Sequence, residues 1–144
     1  MSKTKEHPEI DFQLVRIEPT GFSLTVPDGF KQTGELEYVI LLESIINAER
    51  QRLVVTNRVD LRDDGNTVGN VSANYYFELS GFEHIKKNKK GIHVVPQAIQ
   101  VAVNSIALST TRGLLFAQFR GTPLHNTILP LIDPADFSVN EVDE

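Results

Sequence analysis

The sequence predicts an α+β domain, an antiparallel sheet with a long helix packed on one side. Two observations carry this reading. Residues 53–61 and 71–79 alternate apolar and polar side chains with a period of two, on either side of a turn-forming Asp63-Asp64-Gly65-Asn66. Further on, residues 96–119 lose that alternation and take on helical spacing, with Pro96 at one end and Gly121 and Pro123 just past the other.

Composition bounds the protein class. The chain has 144 residues, 40% hydrophobic and 23% charged, and a net charge of −5, which describes one globular domain with a core of its own. It has no cysteine, so disulfides, thiolate metal sites and thiol nucleophiles are excluded. The acidic balance argues against nucleic acid as a partner, because such binding draws on many phosphate-neutralising Lys and Arg. The opening MSKTKEHPEIDFQ lacks an apolar h-region and no apolar stretch is long enough to span a bilayer, so a cytoplasmic protein without membrane insertion is expected.

Residues 1–9 are polar and aperiodic and read as a flexible arm, and residues 139–144 as an acidic tail. Ile10, Phe12 and Leu14 alternate with polar neighbours, and Phe22, Leu24 and Val26 resume after Pro19-Thr20-Gly21, giving one bent strand or two short ones. Pro27, Asp28 and Gly29 form a turn. The run 36–46, LEYVILLESII, is apolar on both alternating faces, so a strand covered on both sides is favoured over a helix. The next two strands are cleaner. Leu53, Val55, Asn57, Val59 and Leu61 form one dry side, Val71, Ala73, Tyr75, Phe77 and Leu79 another, as a sheet with one covered face requires.

The helix 96–119 is about 36 Å long at 1.5 Å per residue. More than half of it is Ala, Val, Ile, Leu or Phe, and Arg112 is its single charge. Ile99, Ala102, Val103 and Ile106 make one stripe, and Val101, Leu108, Leu115 and Phe119 a second that lies well round the barrel. The outward side carries Asn, Ser, Thr and Gln where a solitary helix on a sheet would carry charge. The second stripe is therefore expected to meet a partner subunit across a symmetric interface; burial wholly inside its own domain is the alternative.

Motifs for chemistry are sparse. No nucleophile elbow, zinc-helix, dinucleotide or P-loop pattern occurs. Asp60–Val71 imitates a calcium loop only until Arg62 and Val71 occupy positions that need oxygen ligands. His7, His84, His93 and His125 have no metal-ligand spacing, although His84, His93 and Glu83 flank one loop. No metal, cofactor or catalytic residue is expected. Lys86, Lys87, Lys89 and Lys90 are the one basic cluster, read as a solvated connector or, functionally, as a contact for an acidic partner or nucleic acid. Phe22 and Phe30 bracket the first turn. Adjacent Tyr75 and Tyr76 must face opposite ways, which puts Tyr76 on the wet side, where a ring suits apolar peptide.

Several strings resemble the SecB family of bacterial export chaperones: FQLVRIE (residues 12–18), SLTVPD (23–28) with Phe30, YFELSG (76–81), the helix exit Arg120-Gly121-Thr122, and LPLIDPADF (129–137). The resemblance spans about residues 10–138. It implies a four-stranded antiparallel sheet with the long helix and a short C-terminal segment or helix on one face, assembled into a homodimer or homotetramer. It also implies a non-enzymatic, ATP-independent holdase that binds unfolded polypeptide clients in apolar surface grooves. Candidate client-binding residues are Phe22, Pro27, Phe30, Tyr76, Pro123 and Leu124; candidate interface residues are Val101, Leu108, Leu115 and Phe119. The family docks the motor SecA through carboxylates on the exposed sheet face, where this chain has Gly21, Thr25 and Asn70, so SecA docking, and with it a role in protein transport, is in doubt. The competing readings are a dedicated protein-partner oligomer and a small-ligand site built on Arg112, His125 and the aromatics.

Overall fold

The computed structural model describes residues 10–31 and 35–136. Strands β1 (Asp11–Leu24), β2 (Glu37–Asn47), β3 (Arg52–Asp63) and β4 (Asn66–Ser80) form one antiparallel sheet in the spatial order β1-β4-β3-β2. A 3-10 turn at Phe82–His84 precedes helix α1 (Gln97–Gln118), and another at Pro134–Asp136 closes the described C-terminal segment. The expected arm 1–9 and tail 139–144 lie outside the described residues.

Local chemistry explains the connections. Asp64 and Gly65 both have positive φ, 55° and 81°, which matches the right-handed twist of β3 and β4 and makes their hairpin tight. β1 is one bent strand: the register with β4 shifts between Leu14 and Arg16 and again between Pro19 and Gly21, where proline has no N–H to give the ladder. β1 and β2, consecutive in the chain, stand at opposite edges of the sheet.

The dry sides of β3 and β4 form the core as expected: Leu53, Val55, Val59, Leu61, Val71, Ala73, Tyr75, Phe77 and Leu79 are all buried. Each large side chain taken from water there contributes about 1.5–3 kcal/mol. Helix α1 lies over these rows, and its Ile99, Val103 and Ala107 join one half of the core while Leu115 joins the other, with Phe119 just past its end. Polar groups meet where the halves join. The Tyr75 and Thr111 hydroxyls are 2.6 Å apart, Gln100 donates to Ser44 and Asn104, and the Asn57 amide donates to the β2 carbonyl of Leu41.

Two expectations are corrected. β2 is an edge strand whose inward Tyr38, Ile40, Leu42 and Ile46 are half-buried, while its outward Val39, Leu41 and Ile45 are exposed, so its second face has no cover among the described residues. Of the proposed interface stripe, Leu108, Leu115 and Phe119 are 2%, 0% and 0% exposed and belong to the interior of the protomer; only Val101 is half-exposed. Gln100, Asn104 and Thr111, of the small polar types expected outward, point inward: β2 gives Gln100 a partner in Ser44, β4 gives Thr111 one in Tyr75, and Asn104 accepts from Gln100 within the helix. Its outer face is small instead, with Ala98, Ser109, Gly113 and Ala117 exposed beside Phe116. Accordingly, Leu108→Asp should unfold the protomer rather than split an assembly, since it buries an unpaired carboxylate. Val101→Asp should keep the native circular dichroism spectrum, a contrast that thermal unfolding of the two variants will show.

Candidate functional site

One helix leaves the flanks of the sheet to other elements. On the β2 flank, Arg112 in α1 donates from Nε to the Leu129 carbonyl (2.9 Å) and from a terminal nitrogen to that of Pro130 (3.2 Å), and Tyr38 donates to the Ile128 carbonyl (3.0 Å). The C-terminal segment is thus strapped between helix and β2, and Leu129 is buried beneath it. On the β1 flank nothing comparable lies down among the described residues. Register places Ile17 opposite Tyr75 and Phe22 opposite Val71, on the helix side of the sheet, yet Ile17 and Phe22 are 43% and 44% exposed.

Phe22 is the rim of an apolar surface whose floor is the core. Its ring lies 5.2 Å from that of Phe119, tilted by 45°. Leu24, Val26, Phe30 and Leu36 continue from it as half-buried residues packed on the cluster of Leu115, Phe119, Leu124 and Leu129. The turn between Pro27 and Phe30 is closed by a 3.0 Å main-chain bond and by Gly29 at φ 73°. Gly69 is required here: a Cβ on it would sit 2.9 Å from Phe119 Cζ, so its bareness lets that ring lie flat on the sheet.

The six expected contact residues therefore do not form one surface. Phe22, Pro27 and Phe30 gather at the end of β1, with Pro123 exposed in the turn after α1. Leu124 is 1% exposed and supports the surface from below instead of lining it. Tyr76 is on the opposite face of the sheet, opposite Arg16 in the register. There its hydroxyl donates to Glu18 Oε1 at 2.6 Å, the Asn74 amide donates to the same oxygen at 3.2 Å, and the Arg16 guanidinium stands 5.2 Å over the ring while pairing with Glu18 at 3.0 Å. The Tyr76 bond, then that of Asn74, hold the Glu18 carboxyl below its ordinary range, and the same carboxylate raises the Tyr76 phenol. Sequence reasoning passed over Ile17, Val39, Leu41 and Ile45; the two-sided apolar run at 36–46 was the signal for the last three.

Other candidates disperse. Arg112 is committed to the strap, and His125 is exposed with its Nδ1 2.9 Å from the Thr122 carbonyl, so the two do not converge on a ligand. His93 packs its ring on Phe82 at 4.8 Å and His84 pairs with Glu83 at 3.6 Å. Among the described residues no three His, Asp or Glu side chains group as metal ligands, and no helix is long and apolar enough to cross a membrane.

No protein-family model matches the chain, and no curated protein does. Solved structures do match. One is the Mycobacterium tuberculosis Rv1957 SecB-like chaperone in complex with a ChAD peptide from the Rv1956 HigA1 antitoxin, at a TM-score of 0.54, 14% identity, and coverage of 84% of this chain and 89% of that one. The chain has the SecB-like fold. Within that fold the sheet of four strands, the single long helix and the antiparallel order agree with what the sequence resemblance implied.

The outer-face cluster yields a pH prediction. Because the folded carboxyl of Glu18 titrates below its unfolded value, its contribution to stability is present above the unfolded pKa and is lost as pH falls through the folded one. In Tyr76→Phe the Glu18 carboxyl should titrate at a higher pH than in the parent, as followed by the carboxyl carbon shift in NMR. An unchanged titration would remove the phenol as the cause.

Proposed function

We propose that this protein is a non-enzymatic, ATP-independent holdase that binds unfolded or apolar polypeptide segments on the open β1 flank of an oligomer. The observation that carries the reading is the exposed row of Ile17 and Phe22 on the helix side of the sheet, continuous with Val26 and Phe30. Apolar side chains left bare on a core-facing surface mark a binding site, and affinity there scales with area more than with sequence. The solved SecB-like chaperone of the same fold is in complex with a peptide, which supports a polypeptide as the ligand class. The groups whose ionisation is displaced here, Glu18, Tyr38, Tyr75 and Tyr76, are a paired surface carboxylate and phenols, not a nucleophile with its base.

SecA does not dock on the outer sheet face in this reading. At the positions the resemblance aligns with the family's carboxylates, Gly21, Thr25 and Asn70 offer none, and Glu18, Asp60 and Glu78 on that face are each paired with an arginine, Arg16, Arg58 and Arg52, while Glu37 and Glu43 lie on the same face in β2, away from those positions. A cytoplasmic holdase, or one dedicated to a single partner, follows. Assembly as a homodimer or homotetramer uses the small outer face of α1 around Val101, where Ala98, Ser109 and Gly113 permit close approach of a second backbone.

The purified protein should suppress aggregation of a chemically unfolded substrate without nucleotide, and sedimentation should give a species larger than 16.1 kDa. Phe22→Ser should retain the fold and weaken suppression about tenfold or more, as expected for about 1.5–3 kcal/mol of lost apolar contact. Parent protein that fails to suppress at several-fold excess would overturn the reading.

A further inference from the structure

The connector between β4 and α1 is built, not merely long enough. We propose that the basic hairpin 85–94 is a docking site for acidic polypeptide segments that carry aliphatic residues, an inference that rests on the polypeptide-binding reading and adds a second, selective surface to it.

Both ends of the hairpin are fixed, since Ile85 and Val95 are 7% and 8% exposed within the core. Between them runs a short ladder: the Val94 N–H donates to the Lys86 carbonyl and the Asn88 N–H to the Ile92 carbonyl, both at 2.8 Å, with Lys87 opposite His93. Asn88 Oδ1 accepts from the N–H groups of Lys90 and Ile92, at 2.8 and 3.0 Å, and Gly91 turns the chain at φ 80°. A solvated connector has no need of this order.

Antiparallel pairing puts Lys87 and His93 on one face and Lys86, Val94, Asn88 and Ile92 on the other. The His93 ring rests on Phe82, so its face is turned to the domain. The opposite face therefore presents Ile92 and Val94 to water, 40% and 44% exposed, with Lys86 beside Val94 and Lys89 and Lys90 at the tip. The segment 85–94 itself contains four lysines and no Asp or Glu, in a chain of net charge −5. Helix α1 follows at Gln97 with no acid in its first turn and no side-chain cap, so its positive end has the same sign as the lysines.

Cation and aliphatic groups held together at fixed spacing are complementary to an extended segment in which carboxylates and aliphatic side chains alternate about every 3.4 Å. A phosphate backbone would use the ammonium groups and leave Ile92 and Val94 without a partner, and the acidic remainder of the chain would repel it.

The test uses the full chain and three fluorescent probes: an extended peptide of alternating Glu and Val, the same peptide with Gln for Glu, and an oligothymidylate. By anisotropy at low salt the Glu peptide should bind on the order of tenfold tighter than the Gln peptide, from several exposed ion pairs acting together, and the gap should close as salt is raised. Lys86→Gln and Lys89→Gln combined should largely close the gap, and Ile92→Ser should weaken the Glu peptide several-fold. Suppression of aggregation of a neutral client should be unchanged in the double variant. Equal binding of the two peptides, a gap unchanged in the double variant, or preference for oligothymidylate would each overturn the proposal. If suppression by the parent is intact in those cases, the holdase reading stands; if the parent neither suppresses aggregation nor binds any peptide, both fall.

Discussion

A four-stranded sheet is wider than the helix laid upon it. Strands about 4.8 Å apart give three gaps and a covered width well beyond the roughly 10–12 Å diameter of a helix with its side chains. With one helix available, the inner face of this sheet must leave a flank over, and the rest of the molecule is arranged around that shortage. The C-terminal segment meets it on the β2 side, held by Arg112 and Tyr38. On the β1 side the shortage remains, and Ile17 and Phe22 stand in water on a surface whose neighbours are core.

The polar groups between the two halves of the core give the helix its rotation. Thr111 against Tyr75 and Gln100 against Ser44 are satisfied together in one rotational setting of α1. A buried polar group left without its partner costs about 1–3 kcal/mol, so turning the helix to bring these residues outward would expose apolar side chains and break those bonds together. This is why Leu108 and Leu115 end inside although helical spacing alone separates them from the first stripe. Two surfaces of different chemistry result. The open flank is apolar, while the hairpin 85–94 joins aliphatic residues to a local excess of positive charge.

Much of the framework was legible in residue patterns. β4 reaches back to Asn66, five residues before the alternation that starts at Val71, while period-two alternation with an Asp-Gly turn specified β3 to within two residues, because alternation has one physical cause when one face is buried. Proline and glycine punctuation located α1 equally well. The candidate surface was less legible. Phe22, Pro27 and Phe30 do come together, but Leu124 lies under them and Tyr76 behind the sheet, since face and depth depend on strand order and register, which no local window contains. The apolar faces of β2 illustrate the same limit. The composition of 36–46 told that both faces are apolar, and only the strand order made it an edge whose outer face has no cover among the described residues.

The sequence by itself determined the elements, their turns and the absence of sulfur chemistry, because each follows from the covalent and steric preferences of a few adjacent residues. The tertiary structure decided which apolar residues remain in water, since exposure is a property of what lies opposite a side chain, and what lies opposite Phe22 or Leu108 comes from segments dozens of residues away.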